Sequence, residues 1–449
     1  MFKIFSSTYQ NLYLTRRFFI LFALVAFVFV LSFTWSWLFP MAQTTLIVCM
    51  AIVLADIVLL FNKNTRLEAH RRLPKLMSLG DANRIFLDIE NHSGQRLNIN
   101  LIDEIPFQFQ KRDFEMRLIL RGGEACRTDY ELTPTERGEY AFGNINLFAE
   151  SLLGLVQRRF EQGGGDTSVP VYPSVLQMKQ FELKAFKQIA HQSGIKKIRR
   201  LGHSYEFEQI KNYVAGDDFR SLNWKASSRR GQVMVNQYED ERSQQVYCII
   251  DKSRVMRMPF GGLTLMDHAI NTSLVISNII LQKKDKAGLF SFSDKLGSTL
   301  QADNSPNQLS RILYELYREK EGKGEASYEL LYYAVRKMIK GRSLLVLFTN
   351  FESMFALERV LPTLRLLNNL HLLVVVFFKN TEIEDFTKKE AATTEEIYHQ
   401  TIAHKFMNEK VQMMQKLRQY GIQTILTRPE DLSINTINKY LELKSRGAI

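Results

Sequence analysis

Cysteine is scarce in this chain. Only Cys49, Cys126 and Cys248 occur in 449 residues, far apart and without a Cys-x-x-Cys or Cys/His grouping. That excludes a disulfide framework and a zinc site, and it places the soluble part in a reducing compartment. The eight histidines are scattered. No Ser-His-Asp order, His-Glu-x-x-His pair, phosphate loop or dinucleotide fingerprint can be read, so the common hydrolase, metallopeptidase and nucleotide-binding classes lack their signatures. Gly163, Gly164 and Gly165 are not followed by Lys-Ser/Thr and read as a hinge or hairpin tip.

Charge is missing from two stretches. Residues 18–39, FFILFALVAFVFVLSFTWSWLF, carry none, and at about 1.5 Å per residue they can cross a hydrocarbon core roughly 30 Å thick. After Pro40, residues 41–61 have the same reach, with Asp56 the only charge. Near the end of the run, Asp56 reads as a carboxylate snorkelling to the headgroups. A signal peptide would have a shorter apolar stretch, a small-residue cleavage site and no second span. Lys3, Arg16 and Arg17 precede the hairpin and Lys63, Arg66, Arg71, Arg72 and Lys75 come after it, whereas the loop with Trp35 and Trp37 is uncharged. The positive-inside rule then puts both ends in the cytoplasm of an inner-membrane, multi-pass protein. The formal net charge of +12 is partly explained by these residues facing anionic lipid.

Beyond the hairpin the pattern changes twice. Between about residues 83 and 173, short alternating apolar runs separated by turn residues predict a small antiparallel β-sandwich. A basic, helical stretch from about 174 to 200 ends in IKKIRR and lacks the interleaved aromatics of a base-stacking surface, so nucleic acid is not expected. From residue 245 onward, VYCIID, AGLFSFS, SLLVLFTN, HLLVVVFF and IQTILT read as strands buried on both faces. Helix candidates at 263–284, 307–319, 328–339, 354–367, 395–420 and 434–444 alternate with them, which implies a parallel, doubly wound, Rossmann-like α/β domain.

The densest polar stretch is YVAGDDFRSLNWKASSRRG, residues 213–231. Gly216 permits a tight turn, and Asp218, or Asp217 beside it, can cap a helix from about Phe219 to Ser228. Gly231 can end that helix in a left-handed conformation after Arg229 and Arg230 complement its negative end. Arg220, Asn223, Trp224 and Lys225 are left over. Helical spacing puts Arg220, Asn223 and Trp224 on one side, where Trp can bury area and Arg can pair with a carboxylate, Asp217, Glu239, Asp240 and Glu241 being candidates. An interdomain or packing network is the first reading, a partner-binding surface the second, and catalysis the last. His203 nearby reads as an ordinary loop histidine.

The uncharged hairpin, the region ending in RGEYAFGNINLFAESLLGLVQRRF and GDDFRSLNWKASSRRG leading into IIDKS together resemble the bacterial membrane proteins of domain of unknown function family 58. The similarity extends over nearly the whole chain. It implies a C-terminal von Willebrand factor A-like domain and a MoxR-type AAA+ ATPase as partner. Metal-binding A domains use Asp-x-Ser-x-Ser, a Thr and an Asp, hard oxygen ligands suited to Mg²⁺. Here Asp251 and Ser253 fill the first two places, but Val255 stands third, Ala326 replaces the Thr beside Ser327, and Asn350 replaces the Asp. The metal site is therefore expected to be degenerate, with Asp251 a strand-end carboxylate or helix cap.

The expected organisation is a membrane-anchored α+β multidomain chain. It runs as an N-terminal cytoplasmic segment 1–17, transmembrane helices 18–39 and 41–61, a β-sandwich 76–173, a helical basic linker 174–204, a signature segment 205–244 and an A-like domain 245–449. The leading function is a non-enzymatic interaction or scaffold protein, without a cofactor, acting with the ATPase in assembling or remodelling envelope-related complexes. A Mg²⁺-dependent adhesion-like binder using Asp251 and Ser253 is one alternative. A hydrolase around Asp217 and Asp218 is the other.

Overall fold

The computed structural model describes residues 10–35, 37–62, 64–111, 114–163, 167–174, 201–215, 217–239, 243–388 and 393–448. It divides into two compact units, Met1–Tyr172 and Pro173–Ile449.

The first unit begins with a strand, β1 (Leu12–Leu14), where only a cytoplasmic tail was expected. Two helices come next, α1 (Arg16–Ser32) and α2 (Leu38–Leu60), and they pack on each other, with the Phe29 and Phe39 rings edge to face at 6.2 Å. Pro40, expected between two spans, lies in the first turn of α2, where its missing N–H costs nothing because that turn's amides have no helical acceptor. Among the described residues only α2, at 23 residues, is long and apolar enough to cross a membrane; α1 has 17.

The rest of this unit is antiparallel β structure that starts earlier than residue 76. Its strands are β2 (Leu67–Arg72), β3 (Met77–Ser78), β4 (Asn83–Asn91), β5 (Leu97–Asp103), β6 (Glu115–Leu120), β7 (Ala125–Leu132), β8 (Gly138–Phe142), β9 (Ile145–Glu150), β10 (Val156–Gln162) and β11 (Thr167–Tyr172). They form a five-stranded sheet in the order β1-β10-β9-β5-β6 and two three-stranded sheets, β2-β4-β7 and β3-β11-β8. Among these described strands only the β3–β11 pair is parallel. Ile85, Leu87 and Ile89 of β4 and Leu97, Ile99 and Leu101 of β5 are buried, the period-two alternation of strands with one covered face. The segment with Gly163 (φ +92) carries the chain from one sheet to another instead of closing a hairpin; Gly164 and Gly165 lie outside the described residues.

Arg71 does not face lipid as expected. Arg71 is buried, reaching both oxygens of Asp103, which also accepts from Tyr130, and Arg72 pairs with Asp88.

In the second unit, residues 175–200 of the expected linker lie outside the described residues, and its last four residues belong to a strand, β12 (Leu201–Asn212). It pairs with β13 (Met234–Glu239) as a two-stranded antiparallel ribbon. The α/β fold then has β14 (Gln245–Asp251), the short hairpin β15 (Pro259–Phe260) and β16 (Leu263–Thr264), β17 (Lys286–Phe292), β18 (Leu296–Asp303), β19 (Leu344–Phe348), β20 (Leu372–Phe378) and β21 (Gln423–Thr427). The six-stranded sheet runs β18-β17-β14-β19-β20-β21; all neighbours are parallel except the antiparallel edge strand β18, which the sequence pattern did not reveal.

Alternate residues of β14 feed two cores: Val246, Cys248 and Ile250 face one cluster, Tyr247 and Ile249 the other. Leu265–Gln282, Gln308–Arg318 and Leu432–Ser445 supply the first layer; Tyr328–Met338, Met354–Leu370 and Thr394–Gln419 supply the second. Helices on both faces explain why these strands are apolar throughout instead of alternating. Cys248 sits wholly inside the first cluster, where burial pushes its thiol up to about 12 and removes thiolate chemistry.

Candidate functional site

Two places gather the polar residues of interest: the connection between β12 and β13, and the carboxyl ends of the parallel strands.

The connection does not form one helix from 219 to 228. Phe219–Ser221 is a single 3-10 turn, Leu222 is extended (ψ 128) and bridges Val235, and α3 (Trp224–Arg230) starts only after Asn223. Asp218 caps the first piece, its Oδ1 accepting from Arg220 N at 3.0 Å. Asn223 caps the second, accepting from Ala226 N at 3.0 Å while its Nδ2 donates to Asn236 Oδ1 at 2.7 Å. Ser227 ties α3 to β13 by accepting from Met234 N at 2.8 Å. Gly231, at φ +68, ends α3 in the left-handed region.

Asp217 does not pair with Arg220. It accepts from Lys211 Nζ at 2.9 Å and from Val214 N at 3.0 Å, and the Lys211 hydrogen bond holds its carboxyl below the usual range. Gly216, Asp240 and Glu241 lie outside the described residues, as do the side chains of His203 and Glu239.

Trp224 is not buried: it and Phe219 are each 73% exposed, with Tyr213 beside Phe219 at a ring distance of 6.0 Å. Arg220, Lys225 and Arg229 are exposed around them. The segment's acids and amides thus hold a small scaffold together, while its aromatic and basic side chains face outward.

At the strand ends, a cleft of about 140 Å³ is lined by Asp251, Ser253, Val255, Ala326, Tyr328 and Asn350, among others. Asp251 is fully buried and already occupied. Its Oδ1 accepts from Ser253 N at 2.8 Å, its Oδ2 from Thr349 Oγ1 at 2.7 Å, and Tyr328 donates to Oδ2 at 3.5 Å. Burial pushes this carboxyl upward, against the ionised form a metal requires. Asn350 Oδ1 accepts from Lys410 Nζ at 2.8 Å, so an ammonium already sits on the group standing in the Asp place. Ser327 serves as the cap of the helix Tyr328–Met338, accepting from Leu330 N at 3.4 Å.

This donor set does not fit a divalent cation. It offers one engaged carboxylate, no oxygen at Val255 or Ala326, and a cation within contact of Asn350. Among the described residues there is no group of three or more His, Cys, Asp or Glu that could hold a metal ion.

Sequence reasoning missed Thr349, Tyr328 and Lys410. Thr349 directly follows the apolar strand β19 and was within reach of a strand-end argument. Lys410 lies in the long helix Thr394–Gln419, and nothing in its neighbourhood in the chain marks it.

Around the cleft stands a rim of ion pairs, Arg359 to Glu325 at 2.9 Å and Arg254 to Glu352 at 3.4 Å, with Phe355 78% exposed among them.

The uncharacterized protein YeaD of Bacillus subtilis (strain 168) is 32% identical over 183 residues, 36% of this chain; the chain spans less than half, 45%, of that relative's length. Among solved structures, a PapD-like domain of human CEP192 covers 25% of this chain and 89% of its own at 15% identity, with a TM-score of 0.19. Proximal thread matrix protein 1 of the mussel byssus covers 45% and 46% at 10% identity, with a TM-score of 0.27. At such scores neither likeness carries an argument. Residues 209–386, which hold the aromatic and basic connection and the strand-end cleft, match the family described as protein of unknown function DUF58.

Proposed function

We propose that this chain is a non-enzymatic, membrane-anchored interaction protein, and that its β12–β13 connection is the surface that meets a protein partner. The observation carrying this reading is the outward display of Trp224 and Phe219, each 73% exposed, beside Arg220, Lys225 and Arg229. Aromatic and arginine side chains dominate the energetics of protein interfaces, and a cationic surround favours an acidic partner patch. Asp217 and Asp218 are engaged as a lysine partner and a turn cap, which argues against a hydrolase built on them.

The resemblance to family 58 proteins supplies the partner in this proposal, a MoxR-type AAA+ ATPase, and the A-like character of the α/β fold. In the same reading α1 and α2 form a two-helix hairpin across the cytoplasmic membrane, with both ends and both soluble units on the cytoplasmic side. Exposed Arg16 and Arg17 at its start support that orientation.

The test is co-purification of the full chain from detergent with the ATPase held in its ATP-bound state. The unaltered chain is expected to retain the ATPase, and the Trp224→Ala/Phe219→Ala double variant to lose it. No retention by the unaltered chain defeats the partner claim; equal retention by the double variant moves the interface elsewhere.

A further inference from the structure

A carboxylate inside an apolar helix is costly unless partners satisfy it. Asp56, one turn before the end of α2, is fully buried rather than reaching for headgroups. It accepts from Ser151 Oγ and, at 3.0 Å each, from the amides of Leu155 and Val156. Those residues bound the turn between β9 and β10.

Strand β10 lies beside the end of α2 in a definite order. Arg158 Nη1 donates to Leu60 O at 2.8 Å, and its guanidinium sits 4.9 Å from the centroid of the Phe61 ring. Val156, two residues earlier, is already level with Asp56. Two strand residues and one helical turn both span about 6 Å, so β10 traced backwards climbs along α2 toward its middle. Leu152 and Leu153, at the turn beyond Val156, therefore lie at or past the level of Asp56, alongside the uncharged part of the helix. Leu152 is 80% exposed and Leu153 42%.

The turn is held from the α1 side as well. Thr15, the cap of α1, donates through Oγ1 to Gly154 O at 2.8 Å and through its amide to Leu155 O at 3.1 Å. Gly154 takes φ +65, and a Cβ there would meet the Arg17 guanidinium at 2.8 Å. Leu153 N donates to Ser151 Oγ at 3.0 Å. Irregular backbone tolerates an apolar medium only when protein satisfies its polar groups, and at the base of this turn Asp56, Thr15 and Ser151 satisfy the amides of Leu153, Leu155 and Val156 and the carbonyls of Gly154 and Leu155.

We propose that the turn Ser151–Leu155 is a membrane wedge, with Leu152 and Leu153 inserted among the acyl chains at the cytoplasmic margin of the bilayer. Phospholipid is the partner of this turn, and Asp56 is the carboxylate that lets it enter. The wedge rests on the proposed crossing of α2, and its test separates the two ideas.

The full chain, native cysteines retained, is reconstituted into phospholipid vesicles with an environment-sensitive fluorescent amino acid replacing Leu152, Ile47 in α2, or Glu115 on the edge strand β6. All three positions are exposed, so the cores are left intact. Lipid carrying a quencher on its acyl chain is expected to quench positions 152 and 47 and to spare 115; a label at Leu153 repeats the measurement. Quenching at 47 with position 152 behaving like 115 overturns the wedge and leaves the anchor standing. Absence of quenching at 47 removes the anchor and the wedge with it.

Discussion

Replacing Asp56 with alanine removes the acceptor of Ser151 Oγ, Leu155 N and Val156 N together. Each buried donor left unmade costs about 1–3 kcal/mol, so the first unit should lose at least about 3 kcal/mol and unfold at a visibly lower temperature in detergent. Asp56→Asn keeps an acceptor oxygen and should lose less; a headgroup-facing carboxylate would predict no change for either. Lys410 makes a second residue-scale prediction. Burial lowers its pKa from 10.5 to about 8. Between those values the unfolded chain binds more protons than the folded one, so stability rises with pH from about 8 to 10.5, and the penalty stands in full below that window. The half-buried side chain limits the gain to at most about 3 kcal/mol. Denaturant unfolding across that range should show the rise, and Lys410→Met should flatten it. At the strand ends, titration with millimolar Mg²⁺ or Mn²⁺ should release no binding heat, since Asp251 and Asn350 are already engaged.

At the scale of elements, the β12–β13 connection separates scaffold from display. Trp224→Ala and Phe219→Ala remove mostly exposed surface and should each change unfolding free energy by no more than about 0.5 kcal/mol, measured by denaturant titration. Asn223→Ala breaks a helix cap and a side-chain bond to Asn236, and should cost about 1 kcal/mol. The five parallel strands were legible because they are apolar on both faces, and the helices between them because their apolar residues recur at helical spacing. The break at Leu222 was not legible, because its bridge to Val235 is a contact with a strand that begins twelve residues later. Without that bridge, caps at 218 and 231 describe one continuous helix. The edge strand β18 was missed for a related reason: only one face of it is covered, and Gly297 and Ser298 dilute its apolar pattern.

For the whole molecule, two compact units with separate cores predict two cooperative transitions in calorimetry of the detergent-solubilised chain. Asp56→Ala should move only the transition of the first unit, and Lys410→Met only that of the second. A chain that melts in a single transition sensitive to both substitutions would contradict that independence.

Composition and periodicity alone determined the succession of an apolar hairpin, a β region and a doubly wound α/β region, since each depends on patterns within single segments. They also determined the weakness of the metal site, because Val255 and Ala326 lack oxygens wherever they are placed. Only the tertiary structure decided what the charged residues do. Asp56 turned from a lipid-facing carboxylate into the anchor of a turn about a hundred residues away, Arg71 from a juxtamembrane charge into a buried partner of Asp103, and Trp224 from a packing residue into a displayed one. A side chain's charge and size are local properties, but its partner depends on which distant segments the fold brings within a few ångströms.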